Sequence, residues 1–289
     1  MTYRSAIILT VAYSAQFSYP LQVSELWLRL LTRQNAAFSK AVFVAELLWL
    51  VERGRLEYQA GYVFLPGRVT DIQLRLTSEQ RAQQKREQLD EVVTLCRFIP
   101  WITGVAVTGS VAMRQARNND DLDFLLITMP QTLWISRAIL VFLSLLLGKY
   151  RSRKNAHTSG WCFNMWLESH DLSLPSEKHS VYTAFEVLQA DWIFDRGNTK
   201  QLFLLANAWV GRVIPNAYRN VLSLTQYSDR NSFAPSPVVF NAGAYALQRW
   251  YMRSAMTREL VSYSSAYFHP RDTHTSITAR WRELLQALA

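Results

Sequence analysis

Apolar positions in the first seventy residues fall into three helical runs and a hairpin. Ile7 to Tyr13 is apolar at helical spacing and breaks near Tyr19-Pro20. SELWLRLLTR starts at Ser24, an N-cap residue type, and puts Leu26, Leu30 and Leu31 on one face. Ser39 precedes KAVFVAELLWLVERG, which Gly54 stops. RLEYQAGYVFLPG then reads as two short strands around Gln59-Ala60-Gly61, closed by Pro66-Gly67. TSEQRAQQKREQLDEVVTLCRF predicts one surface helix over 77–98, buried through Ala82, Leu89, Val92, Val93 and Cys96, with its cations on a solvated face.

The middle of the chain alternates. WITGVAVTGS and DLDFLLIT read as strands, TLWISRAILVFLSLLLGK as a long apolar helix, and SGWCFNMWLES as a third strand rich in β-favouring residues. This order predicts a mixed sheet with helices against it. After Ser180 the pattern is helical: VYTAFEVLQADWIF, TKQLFLLANAWVGRVI and AYALQRWYMRSAMTRELVSYS, with a loop at SLTQYSDRNSFAPSPV.

Composition narrows the classes. Over 289 residues, 49% hydrophobic and 18% charged is a globular balance, and the length suits two or three domains. A net charge of +9 favours polyanionic partners: nucleic acid, nucleotides or an acidic membrane face. Cys96 and Cys162 form neither a disulfide framework nor a zinc site, which predicts reduced thiols and a cytoplasmic protein. No secretory signal is expected from MTYRSAIILTVAYSAQF. No membrane span is expected either: Ala138 to Leu147 falls short of the roughly 20 residues a spanning helix needs. That run is expected to be a buried helix with a solvated basic end, GKYRSRK.

Candidate chemistry sits in TGSVAMRQARNNDDLDFLLIT, Thr108 to Thr128. Side chains alternate along a strand, so Asp121 and Asp123 share a face and Asp120 points away. Two ionised carboxylates that close repel unless a cation lies between them. A hard divalent cation, Mg²⁺ or Mn²⁺, would account for Asp123 inside an apolar run. Gly109 allows backbone N–H groups to approach phosphate oxygens, Ser110 adds a hydroxyl, and a helix opening at VAMRQAR would turn its positive end to the same anion.

Strand, Gly-Ser, short helix, then Asp-x-Asp on the next strand resembles the signature of the DNA polymerase β-type nucleotidyltransferase superfamily. More broadly, YSAQFSYPLQVSELW, VYTAFEVLQADWIFDRG and TRELVSYSSAYFHPRDT are similar to a bacterial group of nucleotidyltransferase-domain proteins. The resemblance implies that Gly109 and Ser110 hold a triphosphate and that Asp121 and Asp123 bind two metal ions. A third carboxylate is implied on a later strand, where this chain has Asn164; Glu168 lies on the same face by strand parity, and Asp171 follows. Three readings stay open: Glu168 is catalytic, two aspartates suffice, or nucleotide binds without transfer. Arg114 and Lys154 are further nucleotide-binding candidates, with Lys149, Arg151 and Arg153 in the same basic cluster, and His269, Arg271 and Asp272 form a distinctive FHPRDT stretch.

The expected class is therefore mixed α+β: a winged-helix-like domain over 1–72, a nucleotidyltransferase core over 73–176 that includes the helix 77–98, and a helical region over 177–289. The expected function is transfer of a nucleoside monophosphate from a nucleoside triphosphate to an unknown hydroxyl acceptor on protein, RNA or a small molecule. The alternative is a degenerate nucleotide-binding regulatory module. The winged-helix-like part adds nucleic acid as a partner, although its third helix lacks a dense basic face.

Overall fold

The computed structural model describes residues 2–32, 39–151, 160–224, 235–253, 256, 259–268 and 273–288. Its first unit holds α1 (Tyr3–Ala15), β1 (Leu21–Gln22), α2 (Val23–Leu28), α3 (Lys40–Glu52), β2 (Glu57–Gln59) and β3 (Tyr62–Phe64). Thr2 caps α1 by accepting from the Ser5 N–H, and Gln22 with Glu25 forms a capping box on α2. Ala60 and Gly61 both have positive φ, the requirement of the two-residue hairpin turn that joins β2 to β3. The three strands pair in the order β1-β3-β2, and Ile7, Leu26, Phe43, Leu50 and Val63 close the core beneath them.

The helix expected over 77–98 is two helices, α4 (Asp71–Arg86) and α5 (Leu89–Phe98). Periodicity misses the start of α4 because its buried anchor is polar. Arg75 is 3% exposed, reaches Glu25 and Glu79, donates to the Pro20 carbonyl, and lies over the rings of Tyr19 and Tyr62. Lys85 and Arg86 do not form a solvated face. Lys85 Nζ donates to the carbonyls of Asn118 and Asp120, at 3.0 and 2.7 Å, and Arg86 pairs with Asp191.

The central sheet has six strands in the order β7-β4-β5-β6-β9-β8. They are β4 (Ile102–Thr108), β5 (Leu122–Thr128), β6 (Trp161–Glu168), β7 (Asp191–Asp195), β8 (Leu260–Val261) and β9 (Ser265–Tyr267). β4 runs antiparallel to β5 and β7, β5 is parallel to β6, and β6 is antiparallel to β9. The parallel pair requires a crossover, which α7 (Leu133–Leu146) supplies. The fold is thus mixed α/β with a mixed sheet, as the alternating pattern implied.

β5 is buried on both sides. Phe124 and Leu126 join a core beneath α5, α7 and α11 (Val238–Met252), while Leu125 and Ile127 join one on the other face with α8 (Val181–Gln189), α9 (Thr199–Ala206) and the Val210–Ile214 turn before α10 (Pro215–Ser223). α12 (Thr273–Leu288) adds Ile277 to the second core.

Two expectations are corrected. The region after 177 is not purely helical: β7, β8 and β9 come from it and join the sheet, so the boundary at 176 passes through one structural layer. These strands are two to five residues long and follow helical patterns without a turn signal, which leaves little period-2 signal to read. The run at the end of α7 is not buried. Phe142, Leu145, Leu146 and Leu147 are exposed, because only the Leu133, Trp134, Ser136, Leu140 and Ser144 side faces the sheet. Among the described residues, no helix is long and apolar enough to cross a membrane.

Candidate functional site

β4 ends at Thr108 opposite Asp123 of β5, and the chain turns at Gly109. Gly109 has φ +65°, and a Cβ there would lie 2.6 Å from Asp123 Oδ2, so both backbone and space require glycine. The short helix that follows, α6 (Gly109–Ala112), is a single turn that already opens at Gly109. Its macrodipole contribution is correspondingly small. Ser110 lies half-buried in that turn. Arg114 ends it with φ +57° and is exposed.

Asp121 and Asp123 meet at the mouth of β5. Asp121 Oδ1 accepts from the Gly160 N–H at 3.2 Å, and its Oδ2 pairs with Arg151. Asp123 Oδ1 accepts from the Asn164 amide, and Asn164 Oδ1 in turn takes the Cys162 thiol at 2.8 Å. Burial, then the charge of Asp121, pushes Asp123 up to about 7; the Asn164 hydrogen bond and Arg151 oppose that shift only partly. Asp121 is raised by burial and held back by Arg151. Burial and the two aspartates push the Cys162 thiol up to about 12, so it is no nucleophile at neutral pH. Asp120 stands aside as expected, accepting from the Arg117 N–H at 2.9 Å to close the preceding turn.

Glu168 is not part of this site. Asp123 pairs with Cys162 and Leu125 with Met165, so β6 uses three residues where β5 uses two. This bulge reverses strand parity beyond it. Asn164 faces Asp123, whereas Glu168 faces α7 and sits opposite Thr128, at the far end of the strand. There Glu168 Oε1 accepts from the N–H groups of Thr132 and Leu133, at 3.0 and 3.2 Å. Asp171 is also elsewhere, accepting from the Ser264 hydroxyl. Of the basic cluster, Arg151 reaches Asp121 and Lys149 pairs with Glu91; Arg153 and Lys154 lie outside the described residues, as do His269, Arg271 and Asp272.

Sequence reading missed the opposite wall. α8 packs over the Asp123 face of the sheet and carries Glu186, which takes a 2.7 Å hydrogen bond from Tyr182 and whose charge reaches Asp123. Burial raises Glu186, with the Tyr182 hydrogen bond and Lys178 opposing. Lys178, from the short 3₁₀ turn Ser176–Lys178, lies 4.7 Å from the ring centre of Tyr267, whose strand partner is Met165 beside Asn164. The available signal was an acid flanked in sequence by Phe185 and Val187.

The donors at the strand mouth are hard oxygens, the type that Mg²⁺ and Mn²⁺ take. Asp123 fits such an ion best, because its ionised form is opposed by burial and by Asp121 while its contact is an amide. Asp121 is already matched by Arg151, and Asn164 Oδ1 is engaged by a thiol, so what Asn164 presents to Asp123 is its amide N–H. Among the described residues, no group of three or more His, Cys, Asp or Glu side chains converges as a metal cluster. Comparison with protein-family models, with curated proteins and with solved structures finds no match to this chain.

Proposed function

We propose that this chain is a nucleotidyltransferase of the polymerase β type, using Mg²⁺ or Mn²⁺ to move a nucleoside monophosphate from a nucleoside triphosphate to a hydroxyl. The observation that carries the reading is the buried Asp123 carboxylate, beside Asp121 and pressed against a positive-φ Gly109. In the reaction the acceptor oxygen bonds to the α-phosphorus, the bond from that phosphorus to its bridging oxygen breaks, and pyrophosphate leaves. A bound divalent cation would polarise the α-phosphate and shield the triphosphate.

The chain's residues have separate tasks in this scheme. Asp121 and Asp123 would hold the cation, and Asn164 keeps the Asp123 carboxylate aligned. The Gly109-Ser110 turn presents its backbone and hydroxyl to the phosphates, and Arg151, paired with Asp121 in the metal-free chain, is the cation at that strand mouth. Glu186 on the opposing wall is the carboxylate available to take the acceptor's proton. A second reading, nucleotide binding without transfer, is favoured by the Arg151–Asp121 pair and by Asn164 where the superfamily has a carboxylate. The winged-helix-like first unit belongs to either reading. Its third helix turns Val42, Val44 and Leu48 outward, a surface better suited to protein than to DNA.

The test is incubation of the protein with triphosphates labelled at the α-phosphate, Mg²⁺ or Mn²⁺, and candidate acceptors. Label transfer that disappears in Asp123→Asn supports the enzyme. Metal-dependent nucleotide binding with no transfer supports the second reading. Transfer that persists in Asp123→Asn, or the absence of nucleotide binding, removes both.

A further inference from the structure

On the side of the sheet away from the candidate site, α7 and α11 lie against each other. Asn241 Oδ1 accepts from the N–H groups of Trp134 and Ile135, Gln248 donates to the Trp134 carbonyl at 2.8 Å, and Gln248 also meets Arg137. Their inner sides are thereby accounted for, and their outer sides are apolar and, among the described residues, exposed. Phe240, Trp250 and Tyr251 on α11 are 72, 74 and 77% exposed, and Phe142, Leu146 and Leu247 also point to solvent. Such a concentration of exposed large apolar side chains marks an interaction surface.

Charge identifies the occupant. From Phe124 to Leu167 the sequence has no Asp or Glu; Arg137 is turned inward onto Gln248 and the Phe268 ring, and Lys149 and Arg151 follow the end of α7. From Arg230 to Arg258 it again has no acid, with Arg249 and Arg253 at the end of α11. Both apolar faces therefore lie in segments whose only formal charges are positive. Lys149 is engaged by Glu91 in an exposed pair and Arg151 by Asp121. Apolar side chains, interfacial Trp and Tyr, and flanking cations are the combination that lies in the headgroup layer of an anionic bilayer. No helix among the described residues can cross the membrane, so the contact would be peripheral.

We infer that the α7–α11 face docks on an anionic lipid surface. This inference does not depend on the nucleotidyltransferase reading. The face itself contains none of the acids a basic protein partner would need, and its exposed aromatics set it apart from a purely cationic nucleic-acid site.

The experiment is co-sedimentation of the full chain with vesicles of neutral phosphatidylcholine, and of phosphatidylcholine containing one quarter phosphatidylglycerol. The expected result is pelleting with the anionic vesicles, weakened by added salt as a screened attraction must be. Trp250→Ser with Phe240→Ser should reduce partitioning by about tenfold while leaving the melting temperature within a degree or two, since both side chains are exposed. Phe142→Ser with Leu146→Ser should do the same from α7. No pelleting with anionic vesicles at low salt would overturn the inference, as would equal binding by the double variants. Binding of duplex DNA by the wild type that is lost in the same variants, without vesicle binding, would assign the face to nucleic acid instead.

Discussion

Burial and a neighbouring carboxylate set the environment of Asp123 against its own ionised form. Its folded pKa, about 7, lies above the ordinary 3.8, so between those values the folded chain holds a proton that the unfolded chain has released. Stability of the metal-free protein should therefore fall as pH rises from about 4 to 7 and then level off. Asp123→Asn removes the effect and keeps the shape. In EDTA at pH 8 the variant should be more stable than wild type by roughly 1–3 kcal/mol, and near pH 4 the two should converge. Urea denaturation at the two pH values checks this. Mg²⁺ should raise the melting temperature of the wild type and leave the variant unmoved. Gly109→Ala should cost at least about 1–2 kcal/mol for the positive φ alone, with further loss from the clash with Asp123. The meeting of Asp121, Asp123 and Gly109 was legible in the sequence because one turn and one strand place all three. Glu186 was not, because nothing local says that α8 will close over the sheet at that point.

At the scale of elements, α7 shows how a residue can carry the right chemistry in the wrong place. Its first four N–H groups have no partners within the helix. Glu168 takes those of Thr132 and Leu133, and Asn241 takes those of Trp134 and Ile135. Counting alternate residues along WCFNMWLE assumes an unbroken pleat, and the bulge after Cys162 breaks it, so the count put Glu168 beside Asn164. The structure gives it a capping role that is testable against a catalytic one. Glu168→Ala should destabilise by about 2–4 kcal/mol, since two buried N–H groups lose their acceptor. Glu168→Gln keeps that acceptor and should keep most of the stability and any transfer activity. A stable but inactive Glu168→Gln would instead return the residue to the chemistry. The same limit on local reading explains α4: its anchor is an ion pair with residue 25, and apolar periodicity carries no trace of it.

Across the whole molecule, the Arg75 cluster joins α4, which leads into the central sheet, to the first unit. Burial alone would raise the Glu25 carboxyl, but the Arg75 hydrogen bonds and the charge of Arg29 overcome it and leave the folded pKa below the ordinary 4.5. The contribution of the pair is thus complete above about pH 4.5 and is lost as pH falls through the lower folded value. α1 makes a second connection. Tyr13 belongs to the core beneath the sheet, stacked on Phe185 at 4.6 Å and edge-on to Trp281, while Ile7 and Val11 of the same helix belong to the first unit's core. Trp281 also donates to the Leu9 carbonyl, and Asn216 to that of Trp27. A helix shared between two cores cannot leave one without opening the other. Thermal unfolding followed by far-UV circular dichroism and by tryptophan fluorescence should therefore give one coincident transition. Arg75→Met leaves Glu25 half-buried without its partner and should lower that single transition by about 3–5 kcal/mol at pH 7, with a smaller difference at pH 3.5, where Glu25 is partly protonated. If the variant instead splits the melt into two steps, the first unit folds independently and the shared helix does not couple the cores.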